Sequence, residues 1–129
     1  MKEIKPTYIT FEHAKWLKEK GFKIGSNRGY LPNGELSYSQ YASLCYNDEE
    51  DYPTRYSAPE QWQVVEWLRV NHGIWVWVRP YKDHAADNND PIQHQMNVYK
   101  NGVTVSKEFN SHEEAYSASF DYIKDNNLI

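Results

Sequence analysis

The 129-residue sequence predicts an α+β fold: a small antiparallel sheet of about three to five strands, with three helices packed mainly on one face. Three observations lead there. Apolar residues recur at helical spacing in three segments, each preceded by a capping residue. Two turn sequences, Pro32-Asn33-Gly34 and Asn101-Gly102, sit between short alternating arms. The length suits one domain, 1–129, able to bury roughly 65–70% of its unfolded surface and so to hold a core without metal or disulfide.

The first helix lies in "TFEHAKWLKEKGF". Thr10 caps it, Phe11, Ala14 and Leu17 recur on one side, and Gly21 offers a left-handed stop that lays Phe22 against Leu17. Residues 23–56 are rich in loops and hairpins. "GYLPNGELSYS" reads as a hairpin with Tyr30 and Leu31 on one arm and Leu36 and Tyr38 on the other. "SYSQYASLCY" fits strand or helix, with strand favoured, and "NDEEDYP" is an acidic loop. The second helix, in "SAPEQWQVVEWLRVNHG", has Ser57 and Glu60 at capping-box spacing and Pro59 in the first turn. Val64, Val65 and Leu68 form its inward stripe, with Trp62 or Trp67 on the flank and Gly73 as its stop.

The strand "GIWVWVRP" follows, then a polar loop, then "IQHQMNVYKNGVTVSKEF". The Asn101-Gly102 turn pairs Tyr99 with Thr104, Val98 with Val105, Asn97 with Ser106 and Met96 with Lys107. The last helix, "NSHEEAYSASFDYIKDNN", is capped by Asn110 or Ser111 and turns Ala115, Tyr116, Ser119, Tyr122 and Ile123 inward.

Composition narrows the function. The net charge of −4 argues against a phosphate-backbone binder, so nucleic acid is not the expected partner. No run approaches 18 apolar residues, so no membrane span is expected, and the start lacks the apolar core of a signal peptide. Cys45 is the lone cysteine and reads as a small buried apolar residue, in keeping with a reducing compartment. The five histidines show no metal-ligand spacing, and Asp83, His84, Asp87, Asn89 and Asp90 read as a solvated loop. "GSNRG" lacks the lysine of a phosphate-binding loop and reads as a turn. No catalytic residue, metal site or cofactor is expected; the chain reads as a non-enzymatic protein.

One surface stands out. In "GIWVWVRP", Ile74, Val76 and Val78 point one way and Trp75, Trp77 and Arg79 the other. If the valines face the helices, Trp75, Trp77 and Arg79 join Gln95, Asn97 and Tyr99 on the opposite face. Two readings stay open. The segment 23–56, with six tyrosines, covers the indoles; or the face binds a partner. The run Asp48, Glu49, Glu50 and Asp51 is a second candidate contact, for a basic partner. The expected function is binding of a protein through the aromatic face or the acidic loop. The alternative is a small-ligand module, its aromatic rings stacking a nucleotide or nucleotide signal while Gln95, Asn97 and Arg79 read it. A homodimer joined through the same face is a further option.

Three segments, "ITFEHAKWLKEKGF", "YSAPEQWQVVEWLRVNHGIWV" and "FNSHEEAYSASFDYI", resemble a group of small uncharacterised proteins of gut bacteriophages and prophages. The resemblance covers about half of the chain and consists of helix caps and core residues. It implies a phage-borne accessory protein acting in the host bacterial cytoplasm, and it transfers no functional residue; the protein partner expected above would then be a host or phage protein.

Overall fold

The computed structural model describes residues 2–38, 47, 55–83, 85 and 87–129. The elements are α1 (Phe11–Glu19), β1 (Arg28–Tyr30), β2 (Leu36–Tyr38), β3 (Tyr56–Ser57), α2 (Gln61–His72), β4 (Trp75–Tyr81), β5 (Gln93–Lys100), β6 (Val103–Phe109) and α3 (His112–Asp125). The class is α+β. The strands are divided between two antiparallel three-stranded sheets, ordered β2-β1-β3 and β4-β5-β6. The chain forms two compact units, Met1–Val64 and Val65–Ile129, with one sheet in each.

In the first unit, the Thr10 hydroxyl accepts the His13 N–H (3.2 Å) and opens α1. Its end is a Schellman motif. Gly21 has φ +84°, Phe22 N–H reaches Leu17 O (3.0 Å), and Gly21 N–H reaches Lys18 O (3.2 Å). Phe22 and Leu17 are both fully buried, as the hydrophobic contact of that motif requires. The α1 stripe is broader than the spacing suggested, since His13 and Trp16 are buried beside Ala14 and Leu17. Phe11 is half-buried instead, its ring against Tyr30 (5.5 Å) and Tyr56 (5.6 Å).

The first hairpin forms where its turn sequence places it, with Tyr30 opposite Leu36 and Arg28 opposite Tyr38. Gly34 is required twice over: its φ is +89°, and an added Cβ would lie 3.3 Å from the Phe11 ring. The Tyr30 hydroxyl donates to Ile9 O (2.6 Å), and burial raises its pKa against the opposing pull of Arg28. "GSNRG" is less a free turn than the approach to β1. Ser26 is buried, and its hydroxyl donates to Ala58 O (2.7 Å). Residues 39–46, which hold Cys45 and most of the "SYSQYASLCY" strand expectation, lie outside the described residues.

The start of α2 corrects the capping-box expectation by three residues. Ser57 belongs to β3, where its N–H is taken by Asn47 Oδ1 (2.7 Å). The residue that reaches back is Gln63, whose side-chain oxygen accepts the Glu60 N–H (2.9 Å). Pro59 therefore precedes the helix instead of entering its first turn. It is buried, and its carbonyl accepts the Ile9 N–H (3.1 Å).

In the second unit, Gly73 (φ +64°) stops α2 and turns the chain straight into β4. The Asn101-Gly102 turn has φ +51° and +84°, the positive pair of a two-residue hairpin. Its register matches every pair expected from the sequence, and β4 adds antiparallel on the other side of β5. α3 lies across all three strands. It covers the face of Val76, Met96 and Val98, because His112 of α3 meets His94, and Lys100 Nζ donates to Leu128 O just beyond the helix. Its buried residues are Ala115, Ser119, Phe120 and Ile123. Phe120 replaces Tyr116 and Tyr122, which are only partly covered. Asn127 (φ +50°) closes α3 with a second Schellman motif, Leu128 N–H to Ile123 O (3.1 Å).

The ends of α2 and α3 each carry a contact that stabilises the fold. The Ser111 hydroxyl accepts the Glu114 N–H (3.1 Å) at the α3 N-cap. Ser111→Ala is expected to cost about 1 kcal/mol, read as a lower urea midpoint with an unchanged slope. At the end of α2, His72 packs edge-on against the Trp67 ring (4.7 Å). Burial, then the nearby Lys100 charge, lowers the His72 pKa. The unfolded chain thus takes a proton that the folded chain resists. The contribution of His72 is fully present above the ordinary imidazole value of about 6.5 and is lost as pH falls through the depressed folded value. His72→Gln should flatten the fall of the melting temperature between about pH 7 and pH 5 relative to wild type.

Candidate functional site

β4 carries two faces because side chains alternate along a strand. Three cross-strand rows build the face away from α3. They are Trp75–Tyr99–Thr104, Trp77–Asn97–Ser106 and Arg79–Gln95–Glu108. Trp75, Trp77, Arg79, Gln95, Asn97 and Tyr99, expected together from the sequence, are thus brought onto one surface. Trp75 is 51% exposed and Trp77 40%, so neither indole is a core residue. Tyr99 is exposed as well. By contrast Val76 on the other face is buried, and so is Ile74, just ahead of the strand.

Arg79, Gln95, Asn97, Ser106 and Glu108 are engaged with each other. Arg79 Nε donates to Gln95 Oε1 (2.5 Å), and Gln95 Nε2 donates to Glu108 Oε1 (3.3 Å). Ser106 Oγ donates to Asn97 Oδ1 (2.7 Å), and Asn97 Nδ2 donates to Gln95 O (3.2 Å). Gln95 and Asn97 are buried, as paired amides can be without a large penalty. The result is a cross-linked polar floor on β5 with two indoles rising along β4. Each amide has both its oxygen and its nitrogen engaged inside the sheet, which fits a rigid platform better than a reader of base edges.

Sequence reasoning missed two members of the surroundings. Arg69 of α2 lies over the Trp75 ring (5.4 Å) while paired with Glu66 (2.7 Å). The close Gly73 stop was the available clue, since it sets the last turn of α2 beside the first residue of β4. Glu108 follows from parity with Ser106 and was legible in principle. The other candidate contact, Asp48, Glu49, Glu50 and Asp51, lies outside the described residues, as does His84. In the β4–β5 loop, Asp83 accepts the Ala85 N–H (3.1 Å) and Asp90 the Asp87 N–H (2.8 Å), so both carboxylates brace the loop itself.

Among the described residues no three His, Cys, Asp or Glu side chains converge, and no helix is long and apolar enough to cross a membrane. What the face offers chemically is contact area. Removing the exposed part of each indole from water is worth about 1.5–3 kcal/mol at ~25 cal/mol per Å2. No family model, curated protein or solved structure matches this chain.

Proposed function

We propose that the chain is a non-enzymatic binding protein that engages a protein partner through the β4–β5 aromatic face. The observation that carries this reading is the half-exposure of Trp75 and Trp77 on a sheet face whose central groups, Arg79, Gln95, Asn97 and Ser106, are hydrogen-bonded to one another. Such a platform needs little reorganisation on binding, and tryptophan is enriched among the residues that dominate interface energies. Two projecting indoles beside a satisfied polar floor suit a protein surface. The resemblance of three segments to small proteins of gut phages makes a host or phage protein in the bacterial cytoplasm the first partner to seek.

The test compares immobilised wild type with the double variant Trp75→Ala/Trp77→Ala for proteins retained from a bacterial lysate. Trp62→Ala is the control, because Trp62 is also exposed but lies on α2, outside the face. A protein retained by wild type and Trp62→Ala but lost from the double variant is expected. Equal retention by all three forms sinks the reading. Light scattering on the same samples separates a partner from a second copy of the chain.

A further inference from the structure

The face under α3 holds a feature that the aromatic surface does not use. His94 Nδ1 and His112 Nδ1 stand 2.9 Å apart, with ring centroids 5.0 Å apart and planes at 79°. We infer that His94 and His112 form a two-histidine site for a borderline divalent transition metal such as Zn2+, Ni2+ or Cu2+.

The two rings come from different elements, and the chain fixes both. His94 lies on β5 opposite Phe109, near the far end of β6. Only Asn110 and Ser111 separate Phe109 from His112, and the Ser111 cap sets the first turn of α3. Tyr116, one turn further on, packs its ring against His112 (5.8 Å, 61°) and limits its swing. His112 is exposed and His94 only half-buried, so an ion has a route in.

Facing Nδ1 atoms at this distance share one proton: one ring donates and the other accepts. For both to ligate, the donor ring carries its proton on Nε2 instead, and no proton leaves the pair. Zinc–imidazole bonds of about 2.0–2.1 Å at a tetrahedral angle need nitrogens about 3.3–3.4 Å apart. The rings reach that by tilting and separating by about 0.4–0.5 Å, a side-chain adjustment. Imidazole suits zinc, copper and nickel better than magnesium or calcium. Glu113 and Glu114 in the first turn of α3 offset the unfavourable helix end for a cation, while Lys107, over the Phe109 ring (5.6 Å), opposes it. With two protein ligands, water completes the coordination, so the site is open, unlike a closed structural one.

The test titrates the full chain with Zn2+ by calorimetry, and with Ni2+ by NMR of the imidazole protons. Wild type should bind one equivalent, with the His94 and His112 signals broadened first. His94→Ala and His112→Ala should each weaken binding by about 10- to 100-fold, the range that loss of even a supporting group produces. Zinc should raise the melting temperature of wild type more than that of either variant. His112→Gln keeps a polar side chain at the helix start and serves if His112→Ala fails to fold. Failure of wild type to bind one equivalent overturns the site, as does equal binding by wild type and the variants.

Discussion

Trp75→Ala/Trp77→Ala is expected to weaken partner binding by about 100-fold or more while leaving a folded protein. Central tryptophans of an interface cost about 2 kcal/mol or more each when truncated, and two such losses exceed two decades in affinity. The same double truncation in a core would cost about 3–5 kcal/mol per ring and unfold a domain of ordinary stability. With the indoles 51% and 40% exposed, their removal forfeits only the covered part of each ring. A thermal melt and a binding curve on one sample therefore separate the two roles. The end of α2 is closed by backbone bonds, Gly73 N–H to Arg69 O (3.2 Å) and Ile74 N–H to Leu68 O (3.2 Å), which neither truncation touches.

Phe120→Ala is expected to have the largest effect on stability, about 3–5 kcal/mol. Phe120 is completely buried on α3, flanked in the helix by the buried Ser119 and Ile123. Its loss leaves a cavity that the packed surroundings fill only partly. The readout is a fall in the urea midpoint at constant slope. Ser119 offers a contrast: its hydroxyl donates to Ala115 O (2.8 Å), so Ser119→Ala removes a bond satisfied within the helix and the volume of one oxygen atom. That change should cost about 1 kcal/mol or less.

The two tight turns were the most legible parts of the chain. Asn101-Gly102 fixed a whole register, because a two-residue loop leaves one pairing and alternation then assigns every side chain a face. From that single turn came the grouping of Gln95, Asn97 and Tyr99, and the parity of β4 added Trp75, Trp77 and Arg79. Helix ends marked by Gly21 and Gly73 were legible for the same reason: positive φ leaves few residue choices. The α2 start was misread because Ser57, Glu60 and Gln63 offer two boxes at the same spacing. Only the pairing of Ser57 in β3 decides between them. Phe120 escaped because a helical stripe read from one window leaves its edges undefined, and which edge is buried depends on the sheet beneath. The division into two sheets was illegible for a similar reason: strands of two or three residues leave almost no periodicity to read. The His94–His112 contact depends on the short link from β6 to α3, which no spacing in the sequence reveals.

The proposed binding role requires Trp75 and Trp77 to face water in the free protein and to be covered by a partner in the complex. The direct measurement is attenuation of the indole N–H signals by a soluble paramagnetic probe, with and without the captured partner. In the free protein Trp62, Trp75 and Trp77 should be attenuated while the buried Trp16 and Trp67 are protected. On binding, Trp75 and Trp77 alone should become protected. Protection of both indoles in the free chain, or continued attenuation of both in the complex, would rule out that role.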